Sequence, residues 1–283
     1  MSNETELTPI EEYDSVYVKR DDLFEMAGIR GGKVRACWHL ATRTYDNGPG
    51  LFAGALPPAA GLITASARKS PQAQIVARLA HRLGIPARCH MPEGEKTEEM
   101  VDMETHGGEL VQHKAGYNNV IIARAKADYA ARPGWRYIPF GMEHEAAMAC
   151  TRSQVKSIPL ELVFGHVKFP KRLVVCLGSG MSAAGILWGL RDLGLDIPVV
   201  GIRIGADPTK RLDRFAPRDW RSMMEIIDVT DRVPYHTSVD ASIGPVLLDP
   251  HYEAKCLEYT RRHDLFWVVG IRATEATTQR KTK

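Results

Sequence analysis

Two places in the sequence combine residue types that can do chemistry. Lys33 directly follows the pair Gly31-Gly32 and opens a helical pattern through Val34, Cys37, Trp38 and Ala41. A lysine at the mouth of a helix, behind a flexible glycine pair, can reach into a cleft. The other place is Gly178-Ser179-Gly180-Met181-Ser182, which follows the strand-forming residues Leu173 to Leu177. Ser182 stands where an N-cap belongs, and Ala183, Ala184, Ile186, Leu187 and Leu190 follow at helical spacing. A strand that feeds a glycine turn and then a helix presents several backbone N–H groups at the positive end of a dipole. That arrangement holds a phosphate.

The loop is not a Walker loop, because no Gly-Lys-Ser/Thr follows the glycines. Gly178, Gly180 and Gly185 also miss the spacing of a dinucleotide fingerprint. The competing reading is a plain glycine turn between a buried strand and a helix, and other segments must decide.

Elements able to position these residues follow along the chain. Val16 to Lys19 reads as a short strand, residues 60 to 66 as another, and Ala87 to Met91 as a third. Between the last two lie the loop Ala67-Arg68-Lys69-Ser70-Pro71-Gln72 and an alanine-rich helix to Leu83, closed by Gly84-Ile85-Pro86. Helices are expected over 95–106, 118–131, 142–164 and 209–226, with strands at 109–112, 198–204 and 265–270. Asp249 with Pro250 makes a helix start, and residues 233–245 show no periodicity. Strands spaced by helical stretches predict parallel βαβ units with right-handed crossovers.

The chain has 283 residues, long enough for about two domains, and its 44% hydrophobic and 25% charged residues are those of a globular protein. A net charge of +3 does not by itself argue for nucleic acid or a membrane surface. The cluster Lys210, Arg211, Arg214, Arg218 and Arg221 is interleaved with Asp213 and Asp219 and reads as a solvated helix face. Five scattered cysteines without a CxxC pair argue against a disulfide framework or a zinc site, and no metal is expected. With no signal-peptide pattern at the N-terminus and no apolar run of membrane length, the expectation is a cytoplasmic protein without membrane association.

Three strings in order resemble one family. Lys19-Arg20-Asp21-Asp22-Leu23 followed by Gly31-Gly32-Lys33-Val34-Arg35 resembles the Schiff-base lysine region of the fold type II, tryptophan-synthase-β-like, pyridoxal-phosphate enzymes. It is closest to the branch of 1-aminocyclopropane-1-carboxylate deaminase and D-cysteine desulfhydrase. The strand, loop and helix of residues 60–83 resemble the family segment whose Ser-Asn-(His/Gln) loop cups the cofactor ring and the substrate carboxylate. Ser70 falls near the family's serine, and Pro71 or Gln72 takes the asparagine slot. Leu248-Asp249-Pro250-His251-Tyr252 with Lys255 matches the family's Leu-Asp-Pro-x-Tyr-x-x-Lys. The asparagine before the lysine is absent, and Phe266-Trp267-Val268-Val269-Gly270 lacks the family's closing His and Thr.

The resemblance implies an α/β fold of two open, mostly parallel-sheet, three-layer αβα domains with the cofactor in the cleft between them. Residues 1–48 and 139–283 would form the larger, cofactor-binding domain and residues 49–138 a smaller inserted one. Pyridoxal 5'-phosphate would be held by Lys33 at its aldehyde, by Gly178, Ser179, Gly180, Met181 and Ser182 at its phosphate, and by Gln72. Lys33, Ser70 and Tyr252 would be the catalytic set, with Ser70 on the substrate carboxylate or in proton transfer. Thr237, Ser238 and Asp240 are candidates for the pyridine-nitrogen partner on composition alone. The implied activity is a lyase or deaminase working at the α-carbon of a small amino acid, by β-elimination or ring opening with ammonia release, in a homodimer. Two alternatives stand beside it: an enzyme for an amino acid tethered to a larger substrate such as a modified nucleotide in DNA, for which Arg68-Lys69 is the positive sign, and an inactive binding descendant of the fold.

Overall fold

The computed structural model describes residues 7–45, 52–114, 116–163 and 169–270. The chain folds into two compact units, one built from residues up to Phe24 and from Met148 to Ile271, the other from Glu25 to Ala147.

The first unit is organised on a six-stranded sheet. Its strands run in the order Ile10–Tyr13, Val16–Arg20, Leu265–Val268, Leu173–Leu177, Val199–Arg203, Met224–Asp228. Only the first pair is antiparallel. Strand side chains alternate between the faces, so Leu173, Val175 and Leu177 pack on one side with Ala183, Ile186, Leu187 and Leu190 of the helix Met181–Asp192. Val174 and Cys176 pack on the other with Phe266, Leu248 and Cys256. All five residues of Leu173–Leu177 are buried, which is why they read as an unbroken apolar run rather than an alternating one.

The second unit has a four-stranded parallel sheet in the order Trp135–Ile138, Gly61–Ala65, Ala87–Pro92, Gly108–His113. Ile63 and Ala65 face the helix Asn118–Ala130 through Ile121 and Ala125, while Thr64 and Cys89 face the helix Gln72–Leu83. A polar string crosses the former face. The Asp128 carboxylate accepts hydrogen bonds from Arg88 at 2.7 Å and Arg132 at 2.9 Å, and meets His90 Nε2 at 3.0 Å. His90 Nδ1 lies 2.8 Å from His113 Nε2, with ring planes 15° apart and centroids 5.1 Å apart, so the two imidazoles bond edge to edge almost in one plane. Burial pushes the Asp128 carboxyl up, but the bonds from Arg88, Arg132 and His90 outweigh it and hold the group at about 2.

The alternation of strands and helices expected from sequence is present, and several boundaries differ. The helix expected over 209–226 is two short helices, Thr209–Phe215 and Trp220–Met223, followed by the edge strand Met224–Asp228. Ala216 is extended ahead of Pro217, and the residue before a proline is biased away from helix. Met224–Asp228 then find partners along Val199–Arg203. The helix expected over 142–164 is broken at residues 155–156 into Glu145–Gln154 and Ser157–Val163. The chain passes from one unit to the other at Phe24/Glu25 and Ala147/Met148 rather than at 48/49 and 138/139, because the helix Gly32–Thr42 packs on the helix Gln72–Leu83 and the strand Trp135–Ile138.

Candidate active site

The glycine loop leaves the carboxyl end of the strand Leu173–Leu177, at the middle of the larger sheet, where open α/β sheets place their ligands. The capping position of the following helix belongs to Gly180, not Ser182. Gly180 has φ +85°, a left-handed conformation that favours glycine, and Ser182 is the second helical residue. Met181 N–H reaches the Ser179 hydroxyl only at 3.5 Å. The amides of Ser182 and Ala183 have no acceptor one turn back, since a helix leaves its first N–H groups without one. These donors sit at the positive end of a twelve-residue helix.

Tyr252 closes over the loop. A Cβ built on Gly178 would lie 3.1 Å from Cε1 of the Tyr252 ring, so only glycine gives the phenol this place without displacement. The Tyr252 hydroxyl is 2.8 Å from that of Tyr235, with the rings edge to face at 78°. The helix start expected at Asp249-Pro250 is a turn instead: an Asp249 carboxylate oxygen accepts His251 N–H at 2.8 Å, and a 3-10 helix begins at Glu253. Glu253 is 3% exposed, and its carboxylate accepts the backbone N–H of Val269 at 3.2 Å, just beyond the strand Leu265–Val268. Tyr235 and Glu253 are the two side chains here that the motifs did not single out. Glu253 could have been found as the residue next to Tyr252; Tyr235 could not, since it meets Tyr252 only through the fold. Thr237, Ser238 and Asp240 are exposed residues of an irregular segment, unlike the buried Glu253.

Part of the lysine motif is architecture of the first unit. Lys19 is fully buried, its ammonium bonded to the Thr8 carbonyl and, at 3.3 Å, to Gln154. Arg20 pairs with Asp22 at 2.9 Å and with Glu11.

In the second unit Lys33 is the second residue of the helix Gly32–Thr42 and is half-buried. Val34 and Arg35 donate their amides to the carbonyl of Gly31, whose φ is +118°. Ser70 is half-buried in the turn after Gly61–Ala65, and its hydroxyl accepts Gln72 N–H at 3.4 Å, just ahead of the helix Gln72–Leu83. Pro71 occupies the position before that helix.

Gln72 departs from the cofactor-binding role expected for it. Its Nε2 donates to Thr64 Oγ1 at 2.8 Å and to the Pro139 carbonyl at 2.7 Å, and its Oε1 accepts Gly141 N–H at 2.7 Å. The amide is engaged at both ends inside the unit, so Gln72 clamps the turn at 139–141 to the strand Gly61–Ala65. Two residues on, Gln74 is wholly buried with neither its Nε2 nor its Oε1 hydrogen-bonded.

Comparison with known proteins bears on the family and the fold. A candidate 1-aminocyclopropane-1-carboxylate deaminase of Pyrococcus horikoshii is 28% identical over 198 residues, 67% of this chain and 55% of that protein. The match thus spans little more than half of the Pyrococcus relative's length. A protein of the same name from Thermotoga maritima is 25% identical over 271 residues, 85% of this chain and 81% of its own. Among solved structures, an ACC deaminase homologue superposes with a TM-score of 0.74 at 21% identity, over 98% of this chain and 94% of the other, a likeness of fold. The family model described as pyridoxal-phosphate dependent enzyme matches residues 3–239. With most of its length inside that match, the chain belongs to the pyridoxal-phosphate dependent enzymes.

Proposed function

We propose that the protein is a pyridoxal-phosphate dependent lyase or deaminase that acts at the α-carbon of a small amino acid and releases ammonia. The observation that carries this is the glycine loop under Tyr252. Its backbone amides and the glycine at φ +85° suit a phosphate lying against main chain. Gly178, Ser179, Gly180, Met181 and Ser182 would hold that phosphate, Lys33 the aldehyde, and Glu253 the pyridine nitrogen. Glu253 is preferred over Thr237, Ser238 and Asp240 because it is a buried carboxylate in the residue next to Tyr252. The chain's likeness to two relatives named as candidate 1-aminocyclopropane-1-carboxylate deaminases supports the reaction class.

Bound pyridoxal phosphate supplies an electron sink for a bond broken at the α-carbon. This chain's residues supply the rest. The Lys33 amine takes the proton from the substrate's α-carbon or returns it. The Ser70 hydroxyl, at the N-terminal end of the helix Gln72–Leu83, donates to the substrate carboxylate, and the dipole of that helix favours the same charge. The Tyr252 hydroxyl moves a second proton, with Tyr235 as its hydrogen-bond partner. A homodimer in the cytoplasm fits this reading. The former rests on the family resemblance and the latter on five buried thiols. No helix among the described residues is long and apolar enough to cross a membrane.

The test is the visible absorption of the purified protein titrated with pyridoxal phosphate, beside Lys33→Ala, followed by ammonia release from a panel of small amino acids. A visible band that the variant lacks, and ammonia release from at least one amino acid, are expected. No band in the wild type at excess cofactor would sink the reading.

A further inference from the structure

Lys255 is 3% exposed, a burial that an ammonium tolerates only when its hydrogens are accepted. Its Nζ donates to the carbonyls of Pro234 at 2.9 Å and Tyr235 at 3.0 Å, and lies 5.9 Å from the centre of the Tyr235 ring. Its own backbone N–H donates to the carbonyl of Tyr252 at 3.2 Å. One residue therefore joins the turn that carries Tyr252 to the segment that carries Tyr235. That segment, residues 233–241, forms neither helix nor strand, so the position of the Tyr235 hydroxyl depends on such tethers.

We propose that Lys255 is a positioning residue, holding the Tyr235 and Tyr252 hydroxyls together beside Gly178 and favouring, by its charge, the ionised form of that pair. A cation near a phenol stabilises the phenolate, and the second hydroxyl donating to the phenolate does so again. The groups around the ammonium and the pair are the Asp249 carboxylate, the thiols of Cys176 from the strand Leu173–Leu177 and of Cys256 from its own turn, the His251 ring 6.4 Å from that of Tyr235, and Glu253. Burial pushes the Lys255 amine down, while Cys176, Asp249 and Cys256 pull it the other way. A phenol that ionises early is the better placed to exchange a proton near neutral pH. The part of the proposal concerning turnover rests on the proposed function; the part concerning geometry and ionisation does not.

The experiment is an ultraviolet titration of tyrosinate in the protein without added cofactor, for wild type, Tyr252→Phe, Lys255→Met and Lys255→Arg. The earliest tyrosine to ionise is expected to vanish in Tyr252→Phe, to move up by roughly one pH unit in Lys255→Met, and to return in Lys255→Arg. If an amino-acid substrate is turned over, the pH profile of kcat/KM shifts alongside while KM changes little. Should Lys255→Met not fold, Lys255→Gln, which keeps a donor without the charge, is titrated in its place. A folded charge-removing variant whose earliest tyrosine ionises as in wild type overturns the proposal. Absence of turnover in the wild type instead overturns the proposed function and leaves the titration to decide this one.

Discussion

The ring of Tyr252 occupies the space that a side chain on Gly178 would need, with Cε1 3.1 Å from the position of that Cβ. Adding one methyl group at Gly178 forces the ring, whose hydroxyl lies 2.8 Å from that of Tyr235, to give by a few tenths of an ångström. Gly178→Ala should fold and lose cofactor affinity by about tenfold, the equivalent of one hydrogen bond of roughly 1.4 kcal/mol. Titration of the visible band measures it, and unchanged affinity would show that the loop does not touch the cofactor.

Two glutamines two residues apart should respond in opposite directions. Gln72→Leu leaves Gly141 N–H, the Pro139 carbonyl and the Thr64 hydroxyl without the partners they now have, and should cost about 2–4 kcal/mol in urea unfolding. Gln74→Met removes a buried amide that bonds to nothing and should be neutral or stabilising by about 1 kcal/mol.

Asp128 gives a dependence on acid. Its carboxyl is held at about 2 in the folded chain, below its ordinary value, so the stability it contributes is present above the unfolded value and is lost as pH falls towards 2. Asp128→Asn should lower stability at neutral pH and flatten the acid side of the curve between about pH 4 and pH 2. Thermal melts across that range check it. Equal slopes in the two proteins would remove Asp128 from the account.

Ser70→Ala should lower kcat/KM by about 10- to 100-fold, the cost of one hydrogen bond to a charged carboxylate, and raise KM more than it lowers kcat. Steady-state kinetics on whichever amino acid releases ammonia separates the two. A fall confined to kcat would move Ser70 from carboxylate binding to proton transfer.

The strand Leu173–Leu177 was legible because five apolar residues end at a glycine, and burial on both faces writes an unbroken run into the sequence. The helix that Lys33 opens was legible through its apolar spacing behind a glycine pair. The cap at Gly180 was not: serine is the commoner capping residue, and the choice of glycine follows from a backbone angle that no side-chain pattern records. Met224–Asp228 read as the end of a helix because its partners, Val199–Arg203, lie in a different stretch of chain. Tyr235 escaped for a related reason, since its link to Tyr252 runs through a buried lysine and two carbonyls rather than through any period. Gln72 shows the converse. A motif position suggested a cofactor contact, and the hydrogen bonds inside the unit claim the side chain.

The register Val18↔Phe266 and Val174↔Phe266 sets the order in which the protein can assemble. The strand Leu265–Val268 lies between Val16–Arg20 and the rest of the larger sheet, so until it emerges from the ribosome the first two strands have no sheet to join. Among the described residues the smaller unit comes from the continuous stretch Glu25 to Ala147, which can fold long before then. Closing a pairing across some 250 residues is slow and leaves apolar strand edges open while it waits. Chains cut short of Leu265 should therefore aggregate even though they retain Lys33 and the whole glycine loop.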